Sequence, residues 1–258
     1  MHITLTGNLG SGKSTISKIF SEQGYEIYST GKIQRTLAAE RGLTVLEMNK
    51  LMETDHSFDN IIDETTTRLS KEHTEDLFFD SRLAWHFAVN SFKIFLSVDI
   101  DEAARRVYND DKRGDVEKYK SVDEAKANLI ARAEAEDSRY KELYDINYFD
   151  MNNYNLVLDS TYASPEVLAG IIAKEKASYE KKVAGGADPA AIPSRILISP
   201  ARLLGSDHGS VRRDDDDIFD TDDVIIKREG SSLALVKGSD TVWKAMNSGY
   251  EFITVKEA

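Results

Sequence analysis

An α/β fold, with a mostly parallel sheet flanked by helices and a small C-terminal α+β domain after it, is predicted by three features of the sequence. A short β-favouring run ends at residue 7 in a glycine-rich loop that opens a helix. Runs of β-favouring residues then alternate with helical patterns as far as residue 182, which sets strands side by side and helices on both faces. The Gly-, Ala- and Pro-rich stretch 183–193 has the composition of a linker and precedes a shorter second set of patterns.

Each element has its own reason. HITLT, residues 2–6, is short and β-favouring, and KSTISKIFSEQG has apolar residues at helical spacing and stops at Gly24. YEIYST reads as a second strand, and GKIQRTLAAERG as a helix closing at Gly42. From Leu43 to His73 the pattern is helical, before DLFFDSR and KIFLSV supply a third and a fourth strand. Residues 100–143 are charged and helical in pattern, and NLVLDST is a fifth strand. SPEVLAGIIAKEKASYEKK has a well-marked start, with Ser164 as N-cap, Pro165 at the first position and Glu166 in the first turn. Beyond 193 come RILIS, an acidic loop, DVIIKREG, SSLALVKG, a short helix around TVWKAMNSG, and EFITV. Trp243 is expected in the core of this last part, on an apolar helix face with Met246. The expected division is a domain at 1–182, a linker at 183–193 and a domain at 194–258 that is marginal alone by its size.

Composition narrows the function classes. A hydrophobic fraction of 41% with 30% charged residues is that of a globular protein, and no run approaches the roughly 18–20 apolar residues of a membrane span. A net charge of −12 opposes general affinity for nucleic acid, which rests on Lys and Arg neutralising phosphates. Much of the acid lies in RRDDDDIFDTDD, residues 212–223, which reads as a solvated loop, with a divalent-cation site as the alternative. The absence of cysteine excludes disulfides, thiolate metal sites and cysteine nucleophiles. MHITLTGNLG lacks a basic, then apolar leader, and the first motif needs cellular ATP, so the expected location is the cytoplasm.

That motif is GNLGSGKST, Gly7 to Thr15, which satisfies G-x-x-x-x-G-K-[ST] with a strand before it and a helix after it. Gly7, Gly10, Ser11, Gly12, Lys13, Ser14 and Thr15 are therefore the expected nucleotide cradle. Its glycines let backbone N–H groups and the helix N-terminus surround a β-phosphate. Lys13 reaches the β- and γ-phosphates, and Ser14 places its hydroxyl on Mg²⁺. The loop identifies a nucleoside triphosphate as ligand and leaves kinases, GTPases, motor ATPases and switches open.

An acceptor that is itself anionic needs further arginines. Thr30 and Arg35, in YSTGKIQR, follow the second strand at the sheet edge where ligands of open α/β sheets bind. Asp80 and Arg82, in FFDSRLAW, stand where the third strand ends; the carboxylate can hold Mg²⁺ through water and the arginine can reach an acceptor phosphate. Arg132, Glu136 and Arg139 fall at i, i+4 and i+7 on one helix face, which suits a phosphate and a base edge together or a plain salt-bridge ladder.

Taken together, these segments resemble the cytidylate kinases, in particular the compact archaeal-type group of the P-loop nucleoside monophosphate kinases. The resemblance runs in order from ITLTGNLGSGKSTISKIFSEQGYEIYSTGKIQR through DSRLAW and SRYKELYDINYFDMNNYNLVLDST to SPEVL, covering residues 1 to about 180. It implies an NMP-kinase-like sheet, with Thr30 and Arg35 on the phosphate of CMP and Arg82 as a further acceptor contact. Arg132 and Arg139 become lid or acceptor arginines, Glu136 the carboxylate near the nucleotide, and Arg106 a lid arginine over the ATP phosphates, so that Lys13, Arg106 and Arg132 form the catalytic set. Asp59 and Asp63 match a paired-aspartate feature of the acceptor helices. Two positions depart from the pattern: Ala103 and Asp110 stand where relatives carry basic lid residues, so that Arg105 or Arg113 substitutes or the lid is weakened. Asn8-Leu9 replaces a proline-containing pair.

The implied reaction is in-line transfer of the ATP γ-phosphoryl to the phosphate of CMP or dCMP, with ATP and Mg²⁺ required and no general base. Another small acceptor, such as a different nucleoside monophosphate, dephospho-coenzyme A or a sugar acid, stays open, as does a nucleotide-binding regulator with weakened transfer. Residues 194–258 are similar to the small ParB/sulfiredoxin-like domain, although the turn Gly238-Ser239-Asp240-Thr241 lacks that family's basic residue. This leaves the module a structural, partner-protein-binding or substrate-positioning role.

Overall fold

Strand β1 (His2–Gly7) is buried along its whole length and sits between β3 (Leu77–Asp80) and β4 (Ser91–Ser97), parallel to both. The structure, a computed structural model, describes residues 1–30, 39–43, 57–110, 119–205 and 218–258, without the side chains of 57–59. Most of the helix expected at 31–42, residues 44–56, Arg35, Arg113, the Asp59 side chain and the acid-rich 212–217 lie outside the described residues.

Among the described residues ten strands form one sheet. Strand β2 (Glu26–Ser29) is at one edge, followed by β3, β1, β4, β5 (Leu156–Asp159) and β6 (Arg195–Ile198), all parallel. The sheet continues through β10 (Phe252–Glu257), antiparallel to β6, then β8 (Ile225–Glu229) and β9 (Ser232–Lys237), while the short β7 (Ile218–Phe219) also pairs with β10. The mostly parallel sheet is thus as expected. The stretch expected as a linker begins inside a helix that runs from Pro165 to Ala184, and β6 takes β5 as its partner. The C-terminal strands therefore continue the first sheet, because a short α+β segment buries its apolar side chains best against an existing edge.

Alternation along the strands sorts the core into two faces. On one, Ile3 and Leu5, Ile94 and Leu96, Leu156 and Leu158, and Leu197 meet α1 (Lys13–Glu22) through Ile16 and Phe20, and the Pro165–Ala184 helix through Leu168 and Ile172. On the other, Phe95, Val157, Ile196 and Ile198 pack with Trp85, Tyr148, Ile253 and Val242, so residues before 182 and after 194 share a core. Full burial of each such side chain contributes about 1.5–3 kcal/mol. Between β2 and β3 lies α2 (Ser57–Glu72); α3 (Ala84–Phe87) follows β3, and α4 (Ile100–Tyr108) and α5 (Val122–Tyr144) join β4 to β5. The Pro165–Ala184 helix is α6, α7 is Pro200–Leu203 and α8 is Ser239–Asn247.

Local chemistry sets the helix starts. Ser164 accepts from the Val167 N–H with Pro165 next in line, as expected, and Asp99 and Ser121 cap α4 and α5 in the same way. Trp243 corrects an expectation: it is 46% exposed, because the face α8 buries is Val242 and Ala245, and Trp243 lies about 100° around the helix from Val242. No helix among the described residues is long and apolar enough to cross a membrane.

Candidate active site

The carboxyl ends of the parallel strands converge at Gly7, Ser29, Asp80, Ser97 and Asp159, and the loop between β1 and α1 stands over them. Glycine is required there on two counts. Gly7 has φ 141°, and a Cβ on it would sit 2.2 Å from the Leu96 carbonyl oxygen; Gly10 has φ 78°, and a Cβ would lie 2.9 Å from the Ala103 carbonyl oxygen. The loop is thus pressed onto β4 and α4. Lys13 Nζ arches back to donate to the carbonyls of Gly7 (3.0 Å) and Asn8 (2.8 Å), and Ser11, buried, donates to Asn8 O at 2.8 Å. Ser14 and Thr15 are exposed on the first turn of α1, whose N–H groups favour an anion.

In front of this loop is a cavity of about 580 Å³, bordered by Gly10, Gly12, Lys13, Ser14 and Thr15 on one side and by Thr30, Asp80, Arg82 and Arg106 on the other. Ser17 Oγ donates to Asp80 Oδ2 at 3.1 Å and fixes that carboxylate beside α1. A smaller hollow of about 110 Å³ adjoins it, bordered by Thr30, Asp63, Arg82, Arg139, Tyr140 and Tyr144. Thr30, Ser81 and Arg82 belong to both walls, and Thr30 donates to Ser81 Oγ at 3.1 Å. The structure therefore brings together Lys13, Ser14, Thr30, Asp63, Asp80, Arg82 and Arg139 from five separate stretches of sequence.

Arg82 is largely embedded, with 22% of its side chain accessible. It donates to Gly7 O, reaches the Tyr148 hydroxyl at 3.3 Å and stands 3.5 Å from Glu136 Oε1. Burial pulls its pKa down, but Tyr148 and Glu136 more than offset this, and the guanidinium stays charged well above its ordinary range. Tyr148 is fully buried and its hydroxyl meets Thr6 Oγ1 at 2.5 Å. Asp63, nearly buried, accepts from Tyr144 Oη at 2.7 Å. Burial, then the Glu136 charge, raises the Tyr140 phenol, which remains a donor at the hollow.

Other expected residues behave differently. Arg106 borders the larger cavity, but its guanidinium is engaged with Glu102 Oε1 (2.8 Å), Ser160 O (2.8 Å), Thr161 O (2.9 Å) and Gly10 O (3.4 Å). It ties the loop to the end of β5. Arg132 is half exposed and donates to Glu136 at 3.3 Å, so the ladder reading of that helix face holds for this pair, while Glu136 also faces Arg82. Ala103 is buried under Gly10, where no lid cation fits, and Arg105 is largely exposed and paired with Glu102 at 3.2 Å. Asp110 borders the cavity. Sequence reasoning misses Ser81, Tyr140, Tyr144 and Tyr148; the last three stand in SRYKELYDINYF, where Tyr140 and Tyr144 fall at i and i+4 on α5.

A profile of the cytidylate kinase-like family matches residues 2–162. The cytidylate kinase of Methanocella arvoryzae is 35% identical over 175 residues, which span 67% of this chain and 95% of that protein. The cytidylate kinase of Haloarcula marismortui is 33% identical over 182 residues, 69% of this chain and 91% of that one. Among solved structures, an uncharacterized protein from Eubacterium ventriosum superposes with a TM-score of 0.52 at 14% identity, covering 69% of this chain and 99% of that one, a likeness of fold alone.

Proposed function

The chain belongs to the cytidylate kinase-like family and is on that ground a nucleoside monophosphate kinase, and we propose that it transfers the γ-phosphoryl group of ATP to CMP or dCMP, giving ADP and CDP or dCDP. The observation that carries the reading is the wall common to two cavities: Arg82 borders both the phosphate-loop cavity and the hollow of Thr30, Asp63 and Arg139. A charge at that junction serves the one group that passes from one substrate to the other.

In this reading the loop N–H groups and Lys13 hold the β- and γ-phosphates, and Thr30 and Arg139 hold the acceptor phosphate. Arg35, which lies outside the described residues, joins them on the strength of the family resemblance. Asp63, oriented by the Tyr144 hydroxyl, presents a carboxylate to donor groups of the acceptor nucleoside. The acceptor phosphate is already ionised at neutral pH, so alignment and charge carry the reaction and no general base is needed.

The donor set fits magnesium. Ser14 and Asp80, a hydroxyl and a carboxylate, border the same cavity, and oxygen donors of this kind suit a hard cation that keeps waters and takes phosphate oxygens. Ser14 directly and Asp80 through water would hold it, and bound there it supplies charge neutralisation on the β- and γ-phosphates. A second reading, a nucleotide binder with weakened transfer, has Asp110 in its favour, since a carboxylate bordering the phosphate cavity opposes a triphosphate. ADP release followed with CMP, dCMP, UMP, AMP, GMP and non-nucleotide acceptors separates the two: stimulation by CMP or dCMP above the ATP-only background supports the kinase, and no stimulation by any monophosphate rejects it.

A further inference from the structure

Arg202 lies beyond the region that matches the family, on the short helix α7, yet its side chain is 6% exposed and penetrates the ends of β4 and β5. One terminal nitrogen donates to Asp159 Oδ1 (2.9 Å) and to Ser97 Oγ (2.9 Å), and the other donates to Val98 O (3.1 Å). Asp159 is fully buried, and each of its oxygens is used: Oδ1 also accepts from the Thr161 hydroxyl (2.6 Å) and Thr161 N–H (3.2 Å), and Oδ2 from Ser199 N–H (3.0 Å).

Two hydrogen-bonded routes lead from this pair to the phosphate-loop cavity. Along the first, Asp159 orients Thr161, whose hydroxyl oxygen accepts from the N–H of Asp99, the cap of α4, and whose carbonyl, with that of Ser160, receives Arg106. Arg106 in turn borders the cavity and reaches Gly10 O. Along the second, Val98, held at its carbonyl by Arg202, donates its N–H to Asn8 Oδ1 (3.2 Å) in the phosphate loop itself. The hairpin of β8 and β9 adds a third contact, since Arg228 lies 3.8 Å over the Phe149 ring and with Ser231 borders a small hollow behind Gly7 and Asn8. Neither hydrogen-bonded route touches Thr30, Asp63 or Arg139, while the hollow of Arg228 and Ser231 is also bordered by Arg82.

We propose that Arg202 is a positioning residue for the donor half of the site, and that the C-terminal segment acts in the reaction as a brace for the ATP-binding wall formed by the phosphate loop, Arg106 and the β5 end. The assignment rests on the kinase reading for its name, but its readout is ATP binding. Removing one partner of a buried ion pair strands the other, so Asp159 would turn away and release Thr161. The guanidinium spreads its three bonds over two nitrogens of a planar fork, a geometry that a lysine ammonium, with its three donors on one atom, does not reproduce.

The experiment uses the full chain and compares wild type with Arg202→Met and Arg202→Lys, measuring ATP affinity by calorimetry without acceptor, KM for ATP and for CMP, and thermal melting. Arg202→Met is expected to weaken ATP binding about ten-fold and to leave KM for CMP within about two-fold, with Arg202→Lys about three-fold weakened. Equal rises in both KM values, or unchanged ATP affinity in either variant, overturn the assignment. If Arg202→Met does not fold, Arg202→Lys decides alone: weaker ATP binding with unchanged CMP use upholds the brace, and wild-type ATP binding rejects it. Should the wild type phosphorylate no monophosphate, the kinase reading falls while the calorimetric ratio still decides the role of Arg202.

Discussion

Arg82, two residues beyond β3, donates a hydrogen bond to the main-chain carbonyl of Gly7, the first residue of the phosphate loop. A residue bordering both cavities is thereby tied to the phosphate loop.

Replacing it separates the halves. Arg82→Ala is expected to lower kcat with CMP about a hundred-fold, the scale of losing one charge donor at a transferring group, and to raise KM for CMP more than the dissociation constant of ATP. Steady-state kinetics beside an ATP titration check this; equal losses on both substrates would reduce Arg82 to a structural tie.

Tyr144→Phe removes the hydroxyl that Asp63 accepts and keeps the ring, 5.5 Å from that of Phe87. The expected result is a rise of about five- to ten-fold in KM for the acceptor, ATP affinity unchanged, and a stability loss near 1 kcal/mol. Denaturant titration and kinetics of the one variant test both statements.

Ala103→Lys tests whether a basic residue at this position restores a lid. Because Ala103 is 1% exposed and pressed on Gly10, the variant is expected to lose about 3 kcal/mol or more and to gain no activity. A stable variant with tighter ATP binding would contradict the packing argument.

Lys176, almost buried, joins Asp76 (2.9 Å) to Glu180 (2.7 Å) beneath the sheet. Burial acts to raise both carboxylates, but the Met1 amino group and Lys176 hold them below their ordinary 3.8 and 4.5; burial acts to lower Lys176, but the two carboxylates hold it above 10.5. The carboxylates therefore contribute stability that is complete above their ordinary values and lost as pH falls through the lowered ones, and Lys176 contributes stability lost only as pH rises through its raised value. The difference in melting temperature between wild type and Lys176→Met is expected to be flat between these limits and to shrink in acid, as pH-resolved melting curves would record.

Part of this organisation is legible in the sequence because its causes are local. The P-loop spacing, Ser164 before Pro165, and the β-favouring runs each act within a few residues. The site is legible where residues stand at strand ends, as Thr30, Asp80 and Arg82 do. The partners of Arg82 are not, since Gly7, Glu136 and Tyr148 meet it only through the fold. The same holds for Arg106, whose charge suggests phosphate while its bonds go to carbonyls of Ser160 and Thr161, and for β6, whose linker-like approach gives no sign that β5 is its partner.

The most direct measurement is ³¹P NMR of the protein with Mg²⁺-ATP and CMP. Coupled growth of ADP and CDP signals at equal rates, abolished by Lys13→Ala, is the result the two-cavity site predicts. ADP appearing with inorganic phosphate and no CDP, or no change at all, would contradict it.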